Sequence, residues 1–69
     1  MIDIHVNAEP RRVPPDTTLA ALVAEVTGRS DPAGTAVALN ARVVARSRWG
    51  EVVLASGDKV ELVRAVQGG

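Results

Sequence analysis

Two adjacent glycines, Gly68 and Gly69, stand at the end of the sequence, directly after a segment that reads as a strand. Glycine has no side chain, so a tail of this kind can enter a narrow channel in another protein. The carboxylate at its tip is a chemical handle. A bare carboxylate resists nucleophilic attack because its leaving group would be oxide; joined to AMP by an ATP-using enzyme, it acquires a good leaving group. Residues 65–69, fully extended, span roughly 17 Å at about 3.3–3.6 Å per residue. That reach can place Gly69 inside a partner while a folded body stays outside. A frayed terminus is the plainer reading of the same two residues, so the elements upstream must show whether the tail belongs to a specific scaffold.

Composition narrows the chemistry. The chain has no cysteine, which excludes disulfides, thiolate metal sites and a cysteine nucleophile. The single histidine, His5, cannot make a metal cluster alone. Lys plus Arg number 8 and Asp plus Glu number 8, giving zero formal net charge, and the basic residues form no stripe that would suit nucleic acid or a membrane surface. One aromatic residue, Trp49, excludes an aromatic-rich base-stacking surface. No apolar run approaches the roughly 20 residues that span a bilayer, and no signal-peptide pattern opens the sequence. The expectation is a cytoplasmic protein. Sixty-nine residues make one domain with a thin core. A domain of that size buries about 60% of the surface its unfolded chain exposes, leaving little room for a deep catalytic cavity. A carrier, adaptor or subunit fits better than a free-standing enzyme.

The elements that must position the tail follow from periodicity. Ile2, Ile4 and Val6 alternate with polar residues over 1–7, a strand with one apolar face. Turn formers at 7–10 and a short return over 11–13 predict a hairpin, closed by Pro14-Pro15. Asp16, Thr17 and Thr18 are N-cap candidates for a helix over about 17–27. Its apolar stripe is Leu19, Leu22, Val23 and Val26, at i, i+3, i+4 and i+7, with Gly28 placed to close it. Residues 30–34 read as a loop. A third strand is expected over 35–40, with Val37 and Leu39 apolar, and a tight reversal at Asn40-Ala41-Arg42. The chain resumes extended at 43–45, makes a short turn at 47–50, returns apolar residues to the core at 52–54 and turns at Gly57-Asp58. The last strand is expected over 59–66, with Val60 and Leu62 inward. A lone helix must lay its stripe on one sheet. The first and last strands are the most apolar, which suits central positions. Placed side by side they make a mixed sheet whose final strand leaves from the middle: an α+β, ubiquitin-like β-grasp of four to five strands, with a body over 1–64 and a tail over 65–69.

The residues at this point resemble a known family. The run Val37-Ala38-Leu39-Asn40-Ala41-Arg42-Val43-Val44, then Arg48-Trp49, then Gly57-Asp58-Lys59-Val60-Glu61-Leu62, and finally Ala65-Val66-Gln67-Gly68-Gly69, is similar to the ThiS sulfur carriers of thiamine biosynthesis. The resemblance covers the whole domain; the stretch 50–56 is its less diagnostic part and receives no function. It implies that Gly69 is adenylated by a ThiF-type activating adenylyltransferase using ATP and magnesium. The adenylate then becomes a thiocarboxylate with sulfur from a donor protein, and thiazole synthase (ThiG) accepts the sulfur. With no cysteine elsewhere, Gly69 is the site of covalent attachment, Gly68, Gln67 and Val66 form the tail, and the chain supplies no catalytic residue, bound cofactor or metal of its own. The free carrier is expected to be a monomer.

The remaining residues have plainer readings. Trp49 is expected to pack in the core or at its rim. His5 belongs on a solvated strand face, and Arg11-Arg12 on a solvated edge strand. Val63 differs: if Val60 and Leu62 face the helix, period two sends Glu61 and Val63 to the open face of the sheet, where Val63, with Ala65, can form a docking patch. Two other functions remain open on the same fold. One is the small subunit of molybdopterin synthase (MoaD-like), which shares tail and activation chemistry; those chains tend to be longer and to carry other residues before the diglycine. The other is a ubiquitin-like modifier forming isopeptide bonds with lysines.

Overall fold

The structure, a computed structural model, describes residues 1–28 and 34–64, the last by its backbone alone. The elements run β1 (Ile2–Val6), β2 (Glu9–Val13), α1 (Leu19–Thr27), β3 (Thr35–Leu39), β4 (Arg42–Val44), a 3-10 turn (Arg46–Glu51) and β5 (Lys59–Arg64). The five strands form one sheet in the order β2-β1-β5-β3-β4. β1 and β5 are parallel; every other pairing is antiparallel. The last strand thus occupies the centre, and the topology is the β-grasp expected from the sequence. Most of the expected loop at 30–34, and residues 65–69, lie outside the described residues.

Both hairpins turn on the same pair of residue types. Asn7 and Ala8 have φ of 50° and 69°, and Asn40 and Ala41 have φ of 50° and 70°. Two successive positive φ values match the twist of the flanking strands. Asparagine tolerates that region; alanine does so at a cost of about 1–2 kcal/mol. Because the first turn takes only these two residues, β2 begins at Glu9, earlier than the 11–13 expected. Pro10 sits opposite His5. The His5 N–H points away from β2, to Asp58 O at 2.9 Å, so this is a pair that exchanges no main-chain bonds. The missing proline donor faces outward on an edge strand, where its absence costs nothing.

The helix starts two residues later than the sequence suggests. Thr17 folds back on Pro14, its Oγ1 donating to the carbonyl at 2.6 Å, and Asp16 has φ 71°. Thr18 therefore caps the helix: its Oγ1 accepts from Ala21 N–H at 3.1 Å. Gly28, at φ 74°, closes it with its N–H on Ala24 O. Leu19, Leu22 and Val23 are fully buried against Ile4, Val37 and Val60. Val26, at the end of the stripe, is 39% exposed. Of the 52–54 segment only Leu54 is buried, Val53 being 56% exposed. This segment is tied to the helix entrance, with Leu19 N–H on Val52 O and Leu54 N–H on Thr17 O. Trp49 is buried and its Nε1 donates to Val44 O at 2.9 Å. Arg11, on the inner face of the edge strand, reaches Glu25 of the helix at 2.8 Å.

This core sets a first prediction. Leu22 is completely buried, and truncation to alanine should cost about 2–4 kcal/mol. That is a large share of the roughly 3–10 kcal/mol expected of a domain this size. Chemical denaturation of Leu22→Ala measures it; unchanged stability would mean the helix face is wrongly assigned.

Candidate functional site

The expected site residues divide into two groups. Gly69, Gly68, Gln67, Val66 and Ala65 lie outside the described residues. Val63 lies on β5, one residue before the described chain ends, and its placement follows from the strand's alternation. Val60 is buried and Leu62 half-buried on the helix side; Lys59, Glu61 and Val63 face the other way. Val63 is 61% exposed, as period two predicts.

The register shows what surrounds it. Ala36 pairs with Val63, Ala38 with Glu61 on one side and with Val43 on the other. These residues share the open face, since Val37, Leu39 and Val44 point to the core. Val43 is 80% exposed. The β5-β3-β4 half of the open face thus carries Ala36, Ala38, Val43 and Val63 together with two charged residues of β5, Glu61 and, at the start of the strand, Lys59. The β2-β1 half is polar: Asp3, paired to Arg12 at 3.1 Å, and His5, which is exposed and sits beside Lys59. The sequence reading placed His5 and Arg12 correctly but passed over Val43. The signal was present: a two-residue turn at Asn40-Ala41 fixes the Ala38–Val43 pair, and alternation from Val37 then sends both outward.

The base of β5 is held by side chains. Asp58 Oδ2 accepts from Ala55 N–H at 2.8 Å, closing the 55–58 turn. Asn40 Nδ2 donates to Asp58 Oδ1 at 3.1 Å, and Asn40 Oδ1 accepts from Lys59 N–H at 2.9 Å. Asn40 N–H also donates to Lys59 O. The β3-β4 turn and the turn before β5 are therefore stapled together, fixing where the central strand starts. Among the described residues no group of three or more His, Cys, Asp or Glu is placed to hold a metal, and no helix is long and apolar enough to cross a membrane.

The apolar residues of the open face thus lie on and beside the central strand β5, which precedes the two terminal glycines in the sequence. Residues 4–69 match the family model of the ThiS family. The chain belongs to the ThiS family. That match includes both terminal glycines and nearly all of the described fold. A curated relative, the thiazole synthase of Magnetococcus marinus, is 38% identical over 66 residues; these are 96% of this chain and 20% of that protein. The chain thus spans one fifth of the length of that relative. Among solved structures, the thiamine biosynthesis protein ThiS of Geobacter metallireducens superposes with a TM-score of 0.76 at 22% identity, covering 99% of this chain and 100% of that one. That likeness shows the ubiquitin-like β-grasp fold.

Proposed function

We propose that this ThiS-family chain is a sulfur carrier for thiazole formation in thiamine biosynthesis, and that Gly69 is its reacting residue. In the first step the Gly69 carboxylate attacks the α-phosphate of ATP in a separate ThiF-type enzyme, forming an acyl-adenylate and releasing pyrophosphate. In the second, sulfide supplied by a donor protein attacks the acyl carbon, forming the C–S bond as AMP leaves with the electron pair of the C–O bond, which gives a thiocarboxylate. In the third, the acyl C–S bond breaks as thiazole synthase takes the sulfur at the sulfide level, and an oxygen from water or from the acceptor substrate bonds to the acyl carbon, regenerating the carboxylate. The chain contributes the tail and its presentation; the acids, bases and magnesium act from the partner, where positioning and preorganised charge lower the barrier. On this reading it is a co-substrate, not an enzyme, and works in the cytoplasm as a monomer between encounters.

The observation that carries the reading is a family match running through Gly69, on a fold whose central strand leads to that residue. The thiazole synthase of Magnetococcus marinus, in which sequence like this chain occupies one fifth of the polypeptide, supports thiazole synthase as the acceptor.

The test is intact-mass measurement after incubation with ATP, a sulfur source and a ThiF-type enzyme. The expected product has exchanged one oxygen for sulfur at Gly69 and then supports thiazole synthase. Transfer only to the pterin-forming subunit of molybdopterin synthase would assign the chain to that pathway. A covalent ladder on lysines would make it a modifier.

The β5-β3-β4 half of the open face is the proposed docking surface. An aspartate there is tolerated by the free domain but loses hydration in an apolar contact. Val63→Asp should change stability by less than about 1 kcal/mol. It should weaken binding to the activating enzyme about tenfold, equivalent to about 1.4 kcal/mol. Calorimetric titration and a melting curve on the same variant decide it: unchanged affinity would remove Val63 from the interface.

A further inference from the structure

β5 is engaged by β1 on one side, and that engagement ends at one side chain. His5 N–H donates to Asp58 O at 2.9 Å and Asn7 N–H to Val60 O at 2.8 Å, in a parallel register that pairs His5 with Lys59 and Val6 with Val60. In a regular parallel ladder the next bond would run from Leu62 N–H to the main-chain carbonyl of Asn7. Asn7 has φ 50° and is already turning into the hairpin. Its side chain takes over: Leu62 N–H donates to Asn7 Oδ1 at 2.8 Å, across 55 residues of sequence. Beyond that bond a surface groove of about 250 Å³, lined by Asn7, Val26, Thr27, Thr35 and Leu62, borders β5. On the opposite side β3 continues to pair as far as Thr35 with Arg64. Among the described residues, the Asn7 carboxamide is therefore the last group of β1 and its turn that holds β5.

We propose that Asn7 is a positioning residue: by holding the Leu62 amide it fixes the direction in which β5 leaves the sheet, and so where the segment after it is presented to the activating enzyme. This rests on the carrier reading for its consequence, not for its geometry. Asn7 is far in sequence from the reacting end, and its proposed role is exerted through the Leu62 amide. Its contribution is to keep the strand paired on both sides for two residues longer than the backbone of β1 alone allows. With the clamp removed, the pairing that holds β5 beyond Val60 among the described residues is that with β3, and β5 can pivot about that edge.

The test compares the full-length chain with Asn7→Gly, which keeps the positive φ and deletes the acceptor, and with Asn7→Asp, which keeps an acceptor and tolerates the same φ. In the glycine variant, hydrogen exchange at the Leu62 amide should accelerate about tenfold, the equivalent of one hydrogen bond. The residual dipolar couplings of the Val63 and Arg64 amides should change while those of β1, β3 and β4 hold. In adenylation by a ThiF-type enzyme, kcat should fall about fivefold or more, because the end arrives misaligned. KM for the carrier should stay within about twofold, because the docking face is untouched. Asn7→Asp should restore both. A merely structural role would lower the melting temperature and leave kcat and the couplings of Val63 and Arg64 unchanged; that result overturns the proposal, as does failure of the aspartate to rescue. If the parent chain is not adenylated at all, the carrier reading falls, and the dipolar couplings still decide whether Asn7 directs β5.

Discussion

A chain lacking Gly69, or extended beyond it, is expected to melt like the parent and to accept no AMP. The two halves of this result come from different parts of the molecule. Every buried residue of the described core lies between Ile4 and Val60, and the central strand is fixed at its base by Asn40 and Asp58. Removing the last residue deletes none of these, so the thermal midpoint should stay within about 4 °C, the scale of a surface change in a small domain. The chemistry is all or none. Adenylation needs a free carboxylate at the correct distance from the body. Deletion moves the carboxylate back by about 3.3–3.6 Å, one extended residue, and an added residue buries the former carboxylate in a peptide bond. Misplacement of about 1 Å in a reacting group can already cost on the order of a hundredfold. ATP–pyrophosphate exchange and intact mass are the measurements. Normal thiocarboxylate formation by the Gly69-deleted chain would sink the assignment of Gly69, whatever the family of the fold.

The parts of this molecule legible in its sequence are those governed by period and by strong punctuation. The alternation of Ile2, Ile4 and Val6 gave the buried face of β1, and the same argument from Val60 put Val63 outward. Gly28 closed the helix where a left-handed residue is favoured. The helix start was less legible because Asp16, Thr17 and Thr18 are all good caps; the choice fell to a fold-back of Thr17 onto Pro14, which propensity does not encode. Pro10 in a strand was missed because proline argues against a ladder, and only the sheet order shows that its missing donor faces outward. The asparagines were the largest omission. Their tolerance of positive φ was readable at Asn40, but the partners of Asn7 and Asn40 are 55 and 19 residues away. Side-chain bonds across such separations appear only when the sheet is assembled. The reacting end is legible from the chemistry of a terminal carboxylate and from the resemblance, and the family match runs through residue 69.

Gly68→Val should separate entry of the tail from every other requirement. The carboxylate of Gly69, the length of the tail and the folded body are all retained. What changes is one β-branched side chain next to the reacting residue, which widens the chain and removes the positive-φ half of its conformational space. If the activating enzyme receives the end in a channel that fits only backbone, the variant should bind through the open face almost as well as the parent. Activation should nevertheless fall about a hundredfold or more, the scale of a misplaced reacting group. Stability should change by no more than about 0.5 kcal/mol, as for a substitution outside the core. The decisive measurement is the split between kcat for adenylation and KM for the carrier, with a melting curve on the same preparation. Gly68→Ala provides a graded control, since one methyl should cost less than an isopropyl group if width is the limit. Equal losses in both variants would point to backbone conformation at residue 68 as the requirement. A valine variant activated at the parental rate would show that the end is received in an open site, and the absence of side chains at 68 and 69 would then need another explanation.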